Sequence, residues 1–253
     1  MTEIQFGTIR VDNDIMSPGE LRRKDGVISL GDSGLLWENN LRWIYYDGKL
    51  ISDRSAIFGV NYDELEVDGL CYGKAVVIDS MPFTVRLMDG DLGKTPPSEV
   101  DQFLDEHGIK MREAAQTDPY WCLSTKAIPP MRLFRGGSYL RVGRYDGYCR
   151  GDDVIRALGY RPVLIPEAVN PKRAHLLQGK HVYLYGPKGF VDGILSEITD
   201  YDLTLEVPRC LPSMAAFNLI GCAGFARKID RYKVAVNWDQ VRCIQLVQAG
   251  EKR

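Results

Sequence analysis

Cysteine and histidine are the side chains best suited to metal binding and nucleophilic chemistry, and the 253-residue chain holds six cysteines and three histidines. No two cysteines have the C-x-x-C spacing of a zinc or redox site, and the histidines are too scattered to complete a ligand set. The pattern predicts free, buried thiols in a reducing compartment, with no metal, no cofactor and no catalytic residue. The six cysteines are Cys71, Cys122, Cys149, Cys210, Cys222 and Cys243, and the three histidines are His107, His175 and His181.

Two carboxylates in "MDGDLGK", Asp89 and Asp91, are a second candidate for chemistry. Calcium prefers oxygen ligands, so the pair could contribute to a calcium site. Asp and Gly are also the ordinary residues of a turn at the end of a hairpin. We favour the turn, and the calcium alternative stays open.

Composition describes an ordinary globular protein, with 45% hydrophobic and 26% charged residues. The net charge of −2 gives no whole-chain argument for binding nucleic acid or an acidic membrane. The N-terminus lacks the basic and apolar regions of a secretory signal, and no apolar run reaches the roughly 18 residues of a membrane span. We therefore expect a protein without a membrane segment, in the cytoplasm of a bacterial host or in a phage particle.

The elements that must position any site are mostly strands. Asp47–Gly48 is a two-residue turn that predicts a hairpin on either side of it. Val76–Ile78 should pair with Phe83–Leu87, and Ser98 should cap a short helix that ends before Gly108. Further strands are expected around Tyr120–Leu123, Met131–Phe134 and Tyr160–Ile165, and the expected core includes Trp37, Trp43 and Trp121.

The central segment reads "RLFRGGSYL" and, about twenty residues later, "GYRPV". It resembles the formylglycine-generating-enzyme type of C-type-lectin fold, as found in bacterial and prophage proteins. The resemblance covers residues 70–166 and rests on Arg135, Gly136, Gly137, Ser138, Tyr139, Gly159, Tyr160 and Arg161. It implies that Gly136 and Gly137 shape the backbone, that Gly159 closes the motif, and that Arg135 and Arg161 are structural pairing partners.

Enzymes of this kind carry two neighbouring cysteines after the Gly-Gly-Ser-aromatic motif, because cuprous copper prefers thiolate ligands. Here "LRVGRYDGYCRG" supplies Cys149 alone. The resemblance therefore implies a protein that is not an enzyme. A divergent enzyme with a polar pocket near Cys149 remains an alternative.

Residues 138–158 are predicted to form a loop rich in arginine and tyrosine. These two residue types offer large contact area and hydrogen bonds, so they are frequent in binding surfaces. The same residues could instead form a solvated or internally paired loop that only closes the fold. The candidate binding residues are Arg141, Arg144, Tyr145, Tyr148 and Arg150.

The last third of the chain resembles a small Sm-like or SH3-like barrel. The matching positions are Gly179, Val182, Gly193, Leu195, Asp202, Leu205 and the strand Val241–Ile244. Residues 168–253 carry 12 basic and 8 acidic side chains. This balance permits weak contact with nucleic acid, but we favour a solvated basic face as its meaning.

Together these observations predict an α+β, mostly β protein in three parts: a β-rich N-terminal extension (1–69), a C-type-lectin-like domain (70–167) and a small β-barrel (168–253). The predicted function is a non-enzymatic module of phage or prophage origin that binds a protein or a small ligand through the Arg/Tyr-rich loop. A phage-encoded inhibitor of host defence, or a nucleic-acid-associated factor acting through the barrel, is the first alternative. The divergent enzyme is the second.

Overall fold

The structure, a computed structural model, describes residues 3–79, 81–91, 93, 95–106, 119–136, 147–167, 171–186, 190–206 and 224–246. The N-terminal part holds strands β1 (Glu3–Gln5), β2 (Thr8–Val11), β3 (Asp14–Met16), β4 (Glu20–Leu21), β5 (Ile28–Gly31), β6 (Arg42–Tyr46), β7 (Lys49–Ser52) and β8 (Ile57–Phe58), then helix α1 (Tyr62–Val67).

The central part follows with β9 (Lys74–Ile78), β10 (Met81–Arg86), a helix α2 over residues 99–106, β11 (Tyr120–Cys122), β12 (Met131–Arg135), β13 (Gly147–Arg150), β14 (Gly159–Tyr160) and β15 (Val163–Pro166). The last part holds β16 (His181–Tyr185), β17 (Phe190–Ile198), β18 (Asp202–Glu206), β19 (Ala226–Lys228), β20 (Lys233–Asn237) and β21 (Cys243–Leu246). Short 3₁₀ turns cover Trp37–Asn39, Pro171–Leu177 and Trp238–Gln240.

The described strands form four sheets. The first sheet has the order β1-β6-β7-β15-β10-β9, and the second has the order β13-β12-β11-β14-β8-β4. The C-terminal sheet has the order β19-β20-β18-β17-β16-β21, and a small sheet has the order β3-β2-β5. The expectation of a mostly β protein is confirmed. None of these sheets is closed into a barrel over the residues described.

The first two sheets draw strands from both sides of the predicted boundary at residue 69. β6 and β7 pair with each other and, through β15, join β10 and β9, while β8 pairs with β14. Their common core contains Trp43, Phe83, Trp121 and Tyr160, all fully buried. Residues 1–69 therefore supply strands and core side chains to the same sheets as residues 70–167.

The C-terminal sheet has a separate core. Leu184, Leu195, Leu205, Val234 and Ile244 all lie in one cluster of buried side chains that belong to this part of the chain. The boundary near residue 167 stays a prediction, but this self-contained core is what an independently folding unit requires.

Two hairpins form as their sequences predict. Asp47 and Gly48 have φ of 44° and 76°, the left-handed conformations that the turn between β6 and β7 demands. β9 and β10 pair with Met81 opposite Ile78. Ser98 is also seen to cap α2, because its hydroxyl accepts a hydrogen bond from the Asp101 amide at 3.3 Å.

Three sequence expectations differ from the structure. The single strand expected over Tyr160–Ile165 is two strands, since β14 belongs to the second sheet and β15 to the first. Pro162 separates them, and proline has no amide to donate to a ladder. The loop expected over 138–158 contains strand β13, and the expected core residue Trp37 is 63% exposed because its 3₁₀ turn lies at the surface.

Candidate functional site

The two ends of the Arg/Tyr-rich segment, at Arg135 and at Gly159, lie on either side of one strand. β11 pairs antiparallel with β12, which places Tyr120 opposite Arg135. β11 also pairs parallel with β14, which places Tyr120 opposite Gly159. Since neighbouring strands are about 4.8 Å apart, the two ends are held about 10 Å from each other. The segment therefore leaves and re-enters a rigid sheet.

Arg135 is buried at the first end. Its Nη1 donates to the Gly90 carbonyl at 2.6 Å, and its Nη2 donates to the Asp101 carboxylate at 2.8 Å. Gly136, the next residue, has a φ of 81°. This left-handed conformation favours glycine. Gly137 lies outside the described residues.

Arg161 is buried at the second end. Its guanidinium donates to the carbonyls of Ser52 and Asp53, both at 2.8 Å, and lies 5.0 Å from the centre of the Tyr120 ring. Gly159 is close enough to Ser55 that a Cβ on it would come within 2.5 Å of the Ser55 side chain. The geometry at this end is therefore that of a packed structural joint.

Of the five candidate binding residues, the structure describes Tyr148 and Arg150, while Arg141, Arg144 and Tyr145 lie outside the described residues. Tyr148 and Arg150 are on β13, which is an edge strand of the second sheet. Tyr148 is 39% exposed, and Arg150 pairs with the exposed Asp152 at 2.9 Å. Both side chains stand on the face that Leu133 and Met131 occupy in β12.

Cys149 faces the opposite side of β13, opposite Arg132. Burial, with a smaller contribution from Asp153, raises the pKa of its thiol to about 11. Burial likewise raises the pKa of Cys71 to about 12. Both sulfurs are therefore protonated near neutral pH, and a protonated thiol is a poor nucleophile.

A cleft of about 470 Å³ lies beside α1 and the connection between β11 and β12. We call it the α1 cleft; it is lined by Tyr62, Glu66, Tyr72, Asp89, Cys122, Leu123, Ser124, Thr125, Ala127, Pro129, Arg132 and Leu133. Its volume is within the range of roughly 300–1,000 Å³ usual for small-molecule sites. Sequence reasoning missed it, because its walls come from segments that are distant along the chain.

A hydrogen-bonded chain forms one wall of the α1 cleft. The Tyr62 hydroxyl donates to Tyr72 at 3.1 Å, and Tyr72 donates to Glu66 at 2.8 Å. Arg132 donates to Glu66 at 3.3 Å and lies 4.8 Å from the centre of the Tyr62 ring. Burial and the hydrogen bond with Tyr72 raise the pKa of Tyr62 well above its usual value. This wall can hold a ligand through hydrogen bonds but keeps its Tyr62 phenol protonated.

Asp91 positions Ser124 and Thr125, which line the α1 cleft. It is fully buried, and its carboxylate accepts hydrogen bonds from the Ser124 and Thr125 hydroxyls and from the Thr125 amide. The Asp89 carboxylate accepts from the Asp91 amide at 3.2 Å. Asp91 therefore fixes a connection between strands, and the described residues contain no group of three or more His, Cys, Asp or Glu that could hold a metal.

No known protein family, curated protein or solved structure matches the chain. No helix in the described ranges is both long and apolar enough to cross a membrane.

Proposed function

We propose that the protein is a non-enzymatic binding module in which residues 70–167 form a C-type-lectin-like scaffold and the segment 138–158 recognises a protein or a small ligand. The observation that carries the proposal is the anchoring of both ends of this segment on β11. A recognition segment needs such anchors, because contacts made from a fixed frame lose less conformational entropy on binding.

The described part of the segment supports this role. β13 is an edge strand, and an edge strand can extend its ladder to a partner while exposed Tyr and Arg side chains supply contact area. Cys149 is the single cysteine of the segment 138–158, which supports a non-enzymatic function over the copper-thiolate chemistry of the resembled enzymes, since that chemistry needs two thiolates. In this proposal the protein acts in the cytoplasm of a bacterial host or on a phage particle.

The test replaces Arg141, Arg144, Tyr145 and Tyr148 together with serine in the full-length protein. Partners captured by the wild-type protein from host and phage lysates are identified, purified and titrated against both proteins. We expect the quadruple variant to lose binding at least tenfold while its melting temperature stays within a few degrees, since exposed substitutions usually cost within about 0.5 kcal/mol each.

A matched control removes one tyrosine and one arginine from a distant surface. Tyr201 is 81% exposed, and Arg231, also in the C-terminal part of the chain, is exposed as well. Tyr201→Ser with Arg231→Ser should leave binding unchanged. Unchanged binding by the quadruple variant, or a melting temperature many degrees lower, would defeat the proposal.

A further inference from the structure

The outer face of the C-terminal sheet carries a continuous row of aromatic rings. Along β16, Val182 and Leu184 point into the C-terminal core, so His181, Tyr183 and Tyr185 stand on the other face. Phe190 of β17 is in register with Tyr185. The ring centres of Tyr183 and Phe190 are 5.7 Å apart, and those of Tyr183 and Tyr185 are 6.2 Å apart.

One end of this row is covered by the first sheet. Tyr45 of β6 stacks on Tyr185 at 5.7 Å, and its hydroxyl donates to the Gly186 carbonyl at 2.5 Å. Tyr185 is accordingly buried, whereas Tyr183 and Phe190 are only half-buried. The aromatic row therefore extends from the buried contact between the two sheets to an unfilled space beside it.

That space is a cavity of about 170 Å³ between the two sheets. We call it the aromatic cavity; it is lined by Gln5, Phe6, Leu50, Asp79, Met81, His181, Tyr183, Tyr185 and Phe190. Its volume is well below the roughly 300–1,000 Å³ of a site that holds a whole drug-sized molecule. It suits a single head group of a small molecule or the end of one side chain.

Two carboxylates stand beside the aromatic rings. Asp192 of β17 is directly opposite Tyr183, and Asp79 lines the cavity from the β9–β10 turn. The Ser33 amide donates to Asp79 at 2.8 Å, and Asp192 lies 3.1 Å from the His181 ring nitrogen. Burial raises the pKa of the Tyr183 phenol, and the negative charges of Asp192 and Asp79 raise it further.

Aromatic faces and carboxylates both attract cations, and a ring face binds a quaternary ammonium without any hydrogen bond. Ser33 donates to both oxygens of Asp79, and His181 contacts one oxygen of Asp192, so the two carboxylates add negative charge beside the rings. We propose that the aromatic cavity binds an alkylated ammonium group, carried by a small quaternary amine or by a methylated lysine side chain. This site is separate from residues 138–158 and does not rest on the proposed function.

Choline, N-acetyl-trimethyllysine and the neutral choline isostere 3,3-dimethylbutan-1-ol are the probes for the full-length protein. Calorimetry or ligand-observed NMR should show that both cations bind and that the neutral isostere binds about tenfold more weakly. Tighter binding of the lysine derivative would assign the head group to a side chain, and tighter binding of choline would assign it to a small molecule. Equal binding of the neutral isostere, or no binding of either cation, would overturn the proposal.

Three variants test the named residues. Tyr183→Phe keeps the ring and should keep affinity, while Tyr183→Leu keeps apolar volume without a ring and should lose affinity about tenfold. Asp192→Asn keeps the shape of the site without its charge and should also weaken binding of the cations but not of the neutral isostere. If Tyr183→Leu does not fold, the affinity of Asp192→Asn for the cations is by itself the test of the proposal. Wild-type affinity for the cations in Tyr183→Leu or in Asp192→Asn would contradict the proposal.

Discussion

Arg161 is a buried cation that joins three parts of the structure. Its side chain bonds to two carbonyls at the end of β7 and lies over the Tyr120 ring of β11, at the point where the chain passes from the second sheet to the first. Backbone carbonyls that are buried without a donor are costly, at roughly 1–3 kcal/mol each. The position therefore demands a planar side chain with several donors, which lysine does not offer.

We expect Arg161→Met to lower the free energy of unfolding by about 2–4 kcal/mol, because Ser52 and Asp53 lose their side-chain donors. Urea unfolding of the full-length protein measures the change. Arg150→Met is the matched control, since Arg150 is exposed and pairs only with the exposed Asp152 in the part of the chain described. It should stay within about 0.5 kcal/mol of the wild type. Equal losses in the two variants would show that Arg161 has no special structural role.

The two tryptophans Trp37 and Trp43 occupy opposite environments despite their closeness in sequence. Trp43 is fully buried and its indole donates to the Phe6 carbonyl at 2.9 Å, whereas Trp37 is 63% exposed. Trp43→Ala should cost about 3–5 kcal/mol, and Trp37→Ala should cost within about 0.5 kcal/mol. Urea unfolding compares them. A loss of several kcal/mol at Trp37 would mean that its ring has a partner in the protein.

At the level of single residues, local backbone demands were readable from the sequence, whereas burial was predicted correctly for Trp43 and Trp121 but not for Trp37. The turn residues Asp47 and Gly48 and the left-handed Gly136 follow from which residues tolerate positive φ. The exposure of Trp37 depends on which distant segments approach it, and no local pattern records that. The same limit hid the contact between Tyr62 and Arg132 in one wall of the α1 cleft, because these residues are seventy positions apart in the chain.

Helix α2 is tied to the first sheet by a carboxylate in its first turn. Glu99 accepts hydrogen bonds from Arg86 of β10 at 2.7 and 2.8 Å and pairs with Lys49 of β7 at 2.8 Å. Burial alone would raise its pKa, but the bonds from Arg86 and Lys49 outweigh burial and lower the pKa to about 2. Because this folded-state value is below that of the unfolded chain, Glu99 contributes stability above the unfolded pKa and loses that contribution as pH falls.

We therefore expect Glu99→Gln to remove a pH-dependent stabilisation of about 3 kcal/mol. The difference in unfolding free energy between wild type and variant should be full at pH 7 and should shrink between about pH 5 and pH 2. Urea unfolding at several pH values measures this difference, and other carboxylates cancel because both proteins contain them. Parallel curves for the two proteins across this pH range would contradict the assignment.

Elements were predictable where one local signal sufficed. The β6–β7 hairpin and the cap of α2 each rest on two or three neighbouring residues, and both form. β13 was expected to be loop, because Gly, Tyr and Arg have little local strand signal and its pairing with β12 is a non-local contact. The segment "HVYLY" has the alternation of a strand, but both faces of that strand are apolar. The sequence alone therefore did not show which face meets the first sheet.

At the scale of the whole molecule, the C-terminal sheet has its own core and a specific contact with the rest of the chain. Gln245 of β21 donates to the Pro82 carbonyl at 2.6 Å and accepts from the Tyr185 hydroxyl at 2.8 Å. The bond from Gln245 to Pro82 and the Tyr45 contacts join the C-terminal sheet to the first sheet. Such a contact can lend stability without being required for folding of either part.

We expect the fragment 168–253 to fold alone and to melt cooperatively, because most of its buried apolar side chains pack on one another in a cluster of their own, while Tyr185 packs on the core of residues 1–167. It should melt below the full-length protein, since Tyr185 loses its cover and becomes solvated. Calorimetry of the fragment tests the first expectation, and comparison with full-length Gln245→Ala and Tyr45→Phe tests the second. Each variant loses a bond across the contact, so each should lower the melting temperature of the full-length protein. The isolated fragment lacks Tyr45 and Pro82, so its melting temperature depends on its own core. A soluble fragment without a cooperative transition would show that the C-terminal core depends on the first sheet, and that the boundary near residue 167 does not separate two folding units.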